Sequence, residues 1–218
     1  MELDKIRESL TASDLQARLQ AIKALKDYAP DIAIPLLRSR LNDSEFLVRS
    51  FVAMGLGEKQ GPESFAALLE MIKLDRDTNV KAEAANSLSL YGKVSIPHLV
   101  TAFFQNENWL VRRSILAAMA EMECPDSLYD VSLEAVNDSD LTVQQSGIDV
   151  LGLLAHTKRH KDALNTLLNH VSSDSPHIRI RVAYALKRFK ESEAVSGLQT
   201  LKNDPDHRVV GAVLEEIG

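Results

Sequence analysis

Two histidines, His156 and His160, stand four residues apart, so both imidazoles would face the same side of a helix and could ligate a metal. Three cationic residues, Lys158, Arg159 and Lys161, lie beside them and would repel a metal ion. The sequence shows no third ligand nearby, so we predict that no metal is bound. The segment is interpreted as a solvated basic loop, with contact to an acidic partner as the alternative.

The single cysteine, Cys124, precedes Pro125 and has no histidine or basic neighbour that would lower its pKa. We therefore predict a structural thiol in a reducing compartment. The sequence also lacks a nucleophile-elbow motif, a phosphate-binding loop, a dinucleotide fingerprint and paired cysteines. These observations favour a protein that binds others, without catalysis, and needs no cofactor.

Composition limits the class of protein further. The chain has 218 residues, of which 45% are apolar, 26% charged and 5% aromatic, and its net charge is −6. Nucleic-acid binding is disfavoured because no global basic field exists. No apolar stretch is long enough to span a membrane, and the first residues, MELDKIRESL, contain no apolar signal core. We accordingly predict a cytoplasmic protein without membrane insertion.

The elements that would position any site emerge from an internal repeat. One position, here called the ladder, recurs at intervals of 31, 32, 31, 32, 35 and 31 residues. The ladder residues are Arg18, Arg49, Lys81, Arg112, Gln144, Arg179 and Val210. Six residues earlier, or five in one repeat, stand Asp43, Asp75, Asn106, Asp138, Asp174 and Asp204. Two coupled series at this interval predict about seven repeats.

Helical geometry explains each unit. At about 100° per residue, Val48, Val52 and Leu56 share one apolar face, and Arg49 lies at its edge. The preceding aspartate falls in the turn before this helix. We predict that its carboxylate accepts N–H groups at the helix start and meets a ladder cation of its own or the next repeat.

Each unit is also predicted to contain another helix, which precedes the ladder helix in sequence. The segments are 32–41, 65–74, 96–104, 128–136, 162–171 and 193–201. Pro35 and Pro97 are predicted to share one slot near the start of this helix, where the missing N–H has no helical partner. A lone unit cannot bury its apolar stripe, so the units must stack.

The frame V-R-x-x-A-x-x-x-L-G, with an aspartate before it and a proline-bearing first helix, resembles short HEAT repeats over roughly residues 11–218. It looks most like the HEAT proteins of the phycobilisome-lyase type. The resemblance implies an all-α, right-handed α-solenoid of about seven helix–turn–helix repeats. We predict a single domain over residues 1–218, with an insertion or kink at residues 155–162.

By the same resemblance, the ladder helices would line a concave groove, and the positions one and five residues after the ladder would face it. Trp109 is predicted as a plug between repeats, with a role as groove anchor as the alternative. The candidate binding residues are Phe51, Met54, Asn86, Trp109, Arg113, Asp149, Ile180, Arg181 and Tyr184.

The predicted function is a protein–protein interaction scaffold or adaptor that serves the assembly, cofactor handling or turnover of photosynthetic complexes. Its partners would then be light-harvesting or photosystem-assembly proteins. One alternative from the resemblance is a bilin lyase or chromophore-detaching protein that holds an open-chain tetrapyrrole. A second is a HEAT-like nucleic-acid-binding protein, for which Arg113, Arg179 and Arg181 belong to the only local basic cluster.

Overall fold

A computed structural model describes residues 1–215, and these form fourteen α-helices without any β-strand. The helices alternate along the chain as seven pairs, which confirms the predicted all-α solenoid of seven repeats. Odd-numbered helices are called first helices and even-numbered ones, which carry the ladder, second helices. The chain divides into two compact units, Met1–Ala118 and Met119–Gly218.

Four repeats begin in the first unit. The helices are α1 Leu3–Leu10, α2 Leu15–Ala24, α3 Pro30–Arg38, α4 Phe46–Lys59, α5 Pro62–Leu74, α6 Thr78–Ser89, α7 Ile96–Gln105 and α8 Trp109–Ala120. The second unit contains three repeats. Its helices are α9 Pro125–Ala135, α10 Leu141–Leu153, α11 His160–Asn169, α12 Pro176–Leu186, α13 Ser192–Leu201 and α14 His207–Leu214.

Proline begins several of these helices, since its fixed φ suits the first turn and its missing N–H leaves no bond unmade. Pro30, Pro62 and Pro125 each occupy the first position of a first helix. The predicted equivalence of Pro35 and Pro97 is wrong. Pro97 is second in α7, whereas Pro35 lies inside α3, because α3 already begins at Pro30.

The predicted apolar face of the second helices is buried in both units. Val48, Val52 and Leu56 are fully buried in α4, as are Val143 and Leu151 in α10. Burial of each such side chain contributes about 1.5–3 kcal/mol to the free energy of folding, so the second helix of every repeat helps to stabilise the core.

Two glycines let neighbouring second helices approach closely. A Cβ atom at Gly57 of α4 would lie 2.8 Å from Ser87 Cβ of α6. A Cβ at Gly152 of α10 would lie 3.1 Å from Ala185 Cα of α12. Both glycines stand eight residues after a ladder residue, so the same tight contact recurs in each unit.

The longest ladder interval contains a short 3-10 turn, Leu154–His156, followed by the start of α11 at His160. His156 and His160 therefore belong to different elements, and they do not share a helix face. The boundary between the two compact units falls at residues 118 and 119. In the described part of the chain, no helix has the length and apolar character needed to cross a membrane.

Candidate functional site

The ladder side chains close the turn of their own repeat. Five of them donate a hydrogen bond to the carbonyl oxygen of the residue six positions earlier. The pairs are Arg18–Ala12 at 2.8 Å, Arg49–Asp43 at 2.8 Å, Arg112–Asn106 at 2.5 Å, Gln144–Asp138 at 2.6 Å and Arg179–Ser173 at 2.7 Å. Because the Gln144 amide makes the same bond as the arginines, this task does not require charge.

Arginine adds an ion pair to the next repeat. Arg49 Nε and Nη2 donate to the two carboxylate oxygens of Asp75 at 2.8 and 2.9 Å. Arg179 binds Asp204 in the same two-pronged way, at 2.6 and 2.8 Å. Arg18 Nε lies 3.2 Å from Asp43 Oδ2. The predicted pairing of the aspartate with the ladder cation of its own or of the next repeat is wrong, because in all three pairs the aspartate binds the cation of the preceding repeat.

Burial makes the Arg49–Asp75 pair costly to break. Only 4% of the Arg49 side chain and 6% of the Asp75 side chain are exposed. Burial by itself raises the pKa of Asp75, but the hydrogen bonds from Arg49 and from the Asp77 N–H outweigh it and hold that pKa below its ordinary value. For Asp204, the hydrogen bonds from Arg179 are the main cause of its lowered pKa.

The predicted N-cap role of these aspartates is wrong. Asp75 accepts the N–H of Asp77 at 2.9 Å, which closes the turn and not the helix. The cap of α6 is Asp77 itself, whose carboxylate accepts the Asn79 N–H at 2.8 Å. The same division of roles holds for Asp138 with Asp140. Asp204 and Asp206 repeat it. The sequence signal was the spacing D-x-D, of which only the first member entered the prediction.

Asp174 is not equivalent to the aspartates that stand six residues before the other ladder residues. Its side chain is exposed, and Ser173 occupies the position six residues before Arg179. Ser173 Oγ accepts the Ser175 N–H at 3.4 Å, as the aspartates do elsewhere. Two other ladder residues also depart from the pattern. Lys81 Nζ reaches the Lys73 carbonyl at 3.4 Å, and Val210 is half-buried in α14.

The candidate groove residues of the first unit lie on exposed parts of the second helices. Met54 is 42% exposed, and Asn86 and Arg113 are exposed. Phe51 is half-buried, and Lys23 Nζ lies over its ring, 5.0 Å from the centroid. Exposed positions five residues after the ladder therefore form a row along α2, α4 and α6.

Trp109 is not the predicted plug between repeats. It begins α8, and 42% of it is exposed. Position decides this outcome, because Trp109 stands three residues before the ladder, at the first residue of the helix, ahead of the buried face that starts at Val111. Phe46 holds the same position in α4 and is 45% exposed.

Among the candidates of the second unit, Asp149 and Arg181 pair with each other, and Tyr184 pairs with Glu215, the residue after α14. Arg181 Nη1 lies 3.3 Å from Asp149 Oδ2. Burial raises the pKa of Asp149, and Arg181 only partly opposes the rise. The Tyr184 hydroxyl donates to the Glu215 carboxylate at 2.5 Å, and this bond raises the pKa of Tyr184. Ile180 is half-buried beside them in α12.

A pocket that the sequence did not predict lies between α2, α3 and α4. Its volume is about 310 Å³. Leu25 and Leu37, both about 1% exposed, form its floor, while Phe51 and Met54 form a wall. The remaining lining residues are Ile22, Lys23, Lys26, Gly55, Glu58 and Lys59. Helical periodicity indicates which side of α4 carries Phe51 and Met54. It cannot predict the pocket, because the pocket forms only where three helices pack together.

Comparison with known proteins identifies the repeat. A family model for HEAT repeats matches residues 3–89 and 129–218. No curated protein matches the chain in sequence.

Solved structures share the fold. The chain is similar to the Escherichia coli protein YibA, with 16% identity over 97% of this chain and 80% of that one, at a TM-score of 0.67. It is similar to the CpcE–CpcF complex of phycocyanin lyase from Nostoc sp. PCC7120, with 16% identity over 98% and 94%, at 0.55. It is also similar to a chain of the Kap95p–RanGDP complex, with 14% identity over 97% and 34%, at 0.64. At such low identity, these likenesses show the fold alone.

Proposed function

The chain belongs to the HEAT-repeat family, and from this premise we propose that it is a protein-binding module whose second helices carry the contact surface. One observation carries the proposal. The surface of α4 and α6 keeps an apolar side chain, Met54, and an uncharged one, Asn86, at exposed positions where water alone would favour charge. Methionine and aromatic side chains are common anchors at protein interfaces.

Two similar structures support a role in protein assembly. The CpcE–CpcF and Kap95p–RanGDP structures are both complexes between proteins. A finer form of the proposal rests on the family resemblance alone. In that form, the partner is a light-harvesting or photosystem-assembly protein. The proposed location of the module, the cytoplasm, comes instead from the composition of the sequence. Bilin and nucleic-acid binding stay alternatives from the sequence, and no contact in the described residues favours either.

The test is a capture experiment from the native source with three forms of the chain. Asn86→Arg places a bulky cation on the second-helix surface, in α6. Ala66→Arg places the same side chain on an exposed position of a first helix, α5, and serves as the matched control. We expect a partner protein to be retained by the wild type and by Ala66→Arg. We expect Asn86→Arg to retain at least about tenfold less.

Both substitutions are at exposed helical positions, so we expect both variants to fold. Circular dichroism checks this. Retention of no protein by the wild type would contradict the proposal. So would loss of the partner by Ala66→Arg with full retention by Asn86→Arg, because the contact surface would then lie on the first helices.

A further inference from the structure

The pocket between α2, α3 and α4 combines an apolar interior with a basic rim. Leu25, Leu37, Phe51 and Met54 supply the apolar walls. Gly55 keeps the interior compact, because a Cβ there would lie 2.9 Å from a methyl carbon of Leu37. A volume of about 310 Å³ is at the small end of ligand sites. The cavity therefore suits one or two apolar side chains of a partner.

Three lysines and one glutamate line the rim, in a chain whose net charge is −6. Lys23 and Lys26 are exposed, and within residues 1–215 neither forms an ion pair. The rim thus carries an excess of positive charge that no carboxylate of these residues neutralises through a direct ion pair with Lys23 or Lys26. Glu58 reduces this excess without cancelling it.

Lys59 is held in place at the rim. Its Nζ donates to the carbonyl oxygens of Lys26 and Tyr28, each at 2.6 Å. An ammonium group has three protons to donate, so one proton is left for an acceptor from outside. Because the side chain is already ordered by these two bonds, a carboxylate that binds it would cost little additional conformational entropy.

We propose that this pocket receives an apolar side chain from an acidic amphipathic helix of a partner protein, with the flanking carboxylates of that helix bound by Lys23, Lys26 and Lys59. This inference rests on the proposed function, since it names the chemistry of the segment that the second-helix surface binds. An amphipathic helix presents apolar residues at i, i+3, i+4 and i+7, which matches an anchor that inserts while charged neighbours stay at the rim. The opposite charges would also steer the encounter.

The test measures fluorescence anisotropy with designed peptides of about 18 residues, long enough to form a helix. The acidic probe has leucines at i, i+3, i+4 and i+7 and glutamates on both flanks. One control peptide replaces the glutamates with lysines, and the other replaces the leucines with glutamines. We expect the acidic leucine peptide to bind at least about tenfold more tightly than either control.

Matched variants of the protein locate the binding. Met54→Glu removes the apolar wall and adds a repelling carboxylate, so the Kd should rise at least about tenfold. Met54→Leu preserves the apolar wall, and its Kd should stay within about twofold. Lys26→Glu should weaken binding severalfold and reduce its dependence on salt. Met54 and Lys26 are exposed, and a thermal melt of each variant shows that it remains folded.

Equal binding of the lysine peptide or the glutamine peptide would overturn the proposal, as would unchanged binding by Met54→Glu. The result is separable from that of the capture experiment. If Asn86→Arg loses the native partner while the peptides ignore the pocket variants, the pocket assignment fails and the second-helix surface stands. If the peptides bind as expected but the native source yields no partner, the pocket assignment stands and the proposed function fails.

Discussion

Two junctions between repeats differ in how a second helix joins the turn of the repeat that follows. At the junction of α4 with α6, Arg49 binds its own turn carbonyl and also the buried Asp75 carboxylate of the next repeat. At the junction of α10 with α12, Gln144 binds its own turn carbonyl, and Ser173 stands where the aspartate would be. A close glycine contact, from Gly57 or Gly152, is present at both.

The difference shows that a ladder residue has two separate roles, closure of its own turn and attachment to the next repeat, which an arginine performs together. Closure of the turn within a repeat needs a long side chain with an N–H donor, and glutamine meets that need. Attachment to the next repeat through charge needs both an arginine and an aspartate. Where the arginine is absent, a buried aspartate would be left without its cation at a cost of several kcal/mol, so serine is the compatible residue there.

The largest expected effect on stability comes from removing the ladder residue of the first junction, Arg49, and it is compared with the removal of Gln144 at the second. Arg49→Ala leaves Asp75 buried without its cation and should lower the free energy of unfolding by about 3–5 kcal/mol. Gln144→Ala removes one neutral hydrogen bond and should cost about 1 kcal/mol. Urea unfolding followed by circular dichroism measures both values. Equal losses would show that the ion pair adds nothing to turn closure.

Acid should weaken the first junction selectively. The pKa of Asp75 is lowered in the folded chain, so its contribution is fully present above the ordinary carboxyl pKa and is lost as the pH falls towards the folded value. The difference in unfolding free energy between wild type and Asp75→Asn should therefore be constant above about pH 5 and shrink below about pH 4.

Gln144→Ala provides the control for this pH series, since within residues 1–215 the Gln144 amide donates to a backbone carbonyl, that of Asp138, and to no carboxylate side chain. Its difference from wild type should stay constant over the same range when both are unfolded in urea. A difference for Asp75→Asn that persists unchanged at about pH 2.5 would mean that the charge of Asp75 does not stabilise the fold.

The smallest expected effect is the conversion of the second junction into the first. Gln144→Arg combined with Ser173→Asp should show a favourable coupling energy of about 1 kcal/mol in a double-mutant cycle. Ser173→Asp alone should be destabilising, because it adds a carboxylate without a cation. A coupling energy of zero would show that the backbone at this junction does not bring the two positions together.

The repeat pattern was enough to predict most of the fold. The segment 65–74 corresponds to α5, Pro62–Leu74, and the segment 193–201 to α13, Ser192–Leu201, because apolar periodicity and proline mark these helices directly. The cap of α6 was misassigned because Asp75 and Asp77 are equally good acceptors in sequence. Only the path of the turn decides which carboxylate faces the helix.

Less of the candidate site could be predicted. Met54 and Asn86 were correctly expected at the surface, since helical spacing alone fixes the direction of Met54 relative to Val48 and Val52 and that of Asn86 relative to Val80. The pocket beside Met54 was not expected, because its walls come from separate helices. Tyr184 was predicted as a groove residue, but its hydroxyl binds Glu215 of another repeat, and helical spacing within α12 does not show which residues of a neighbouring repeat come close to it.

The ion pairs also define where the gene of such a protein can be cut and rejoined. A boundary drawn between helix pairs would separate Arg49 from Asp75, and an exchanged repeat with either residue would then bring a charge that its new neighbour must match. A segment from residue 49 to residue 80 carries both members and can be duplicated or deleted as a closed unit. The module that recombination would preserve is therefore offset by one helix from the helix pair that defines a structural repeat.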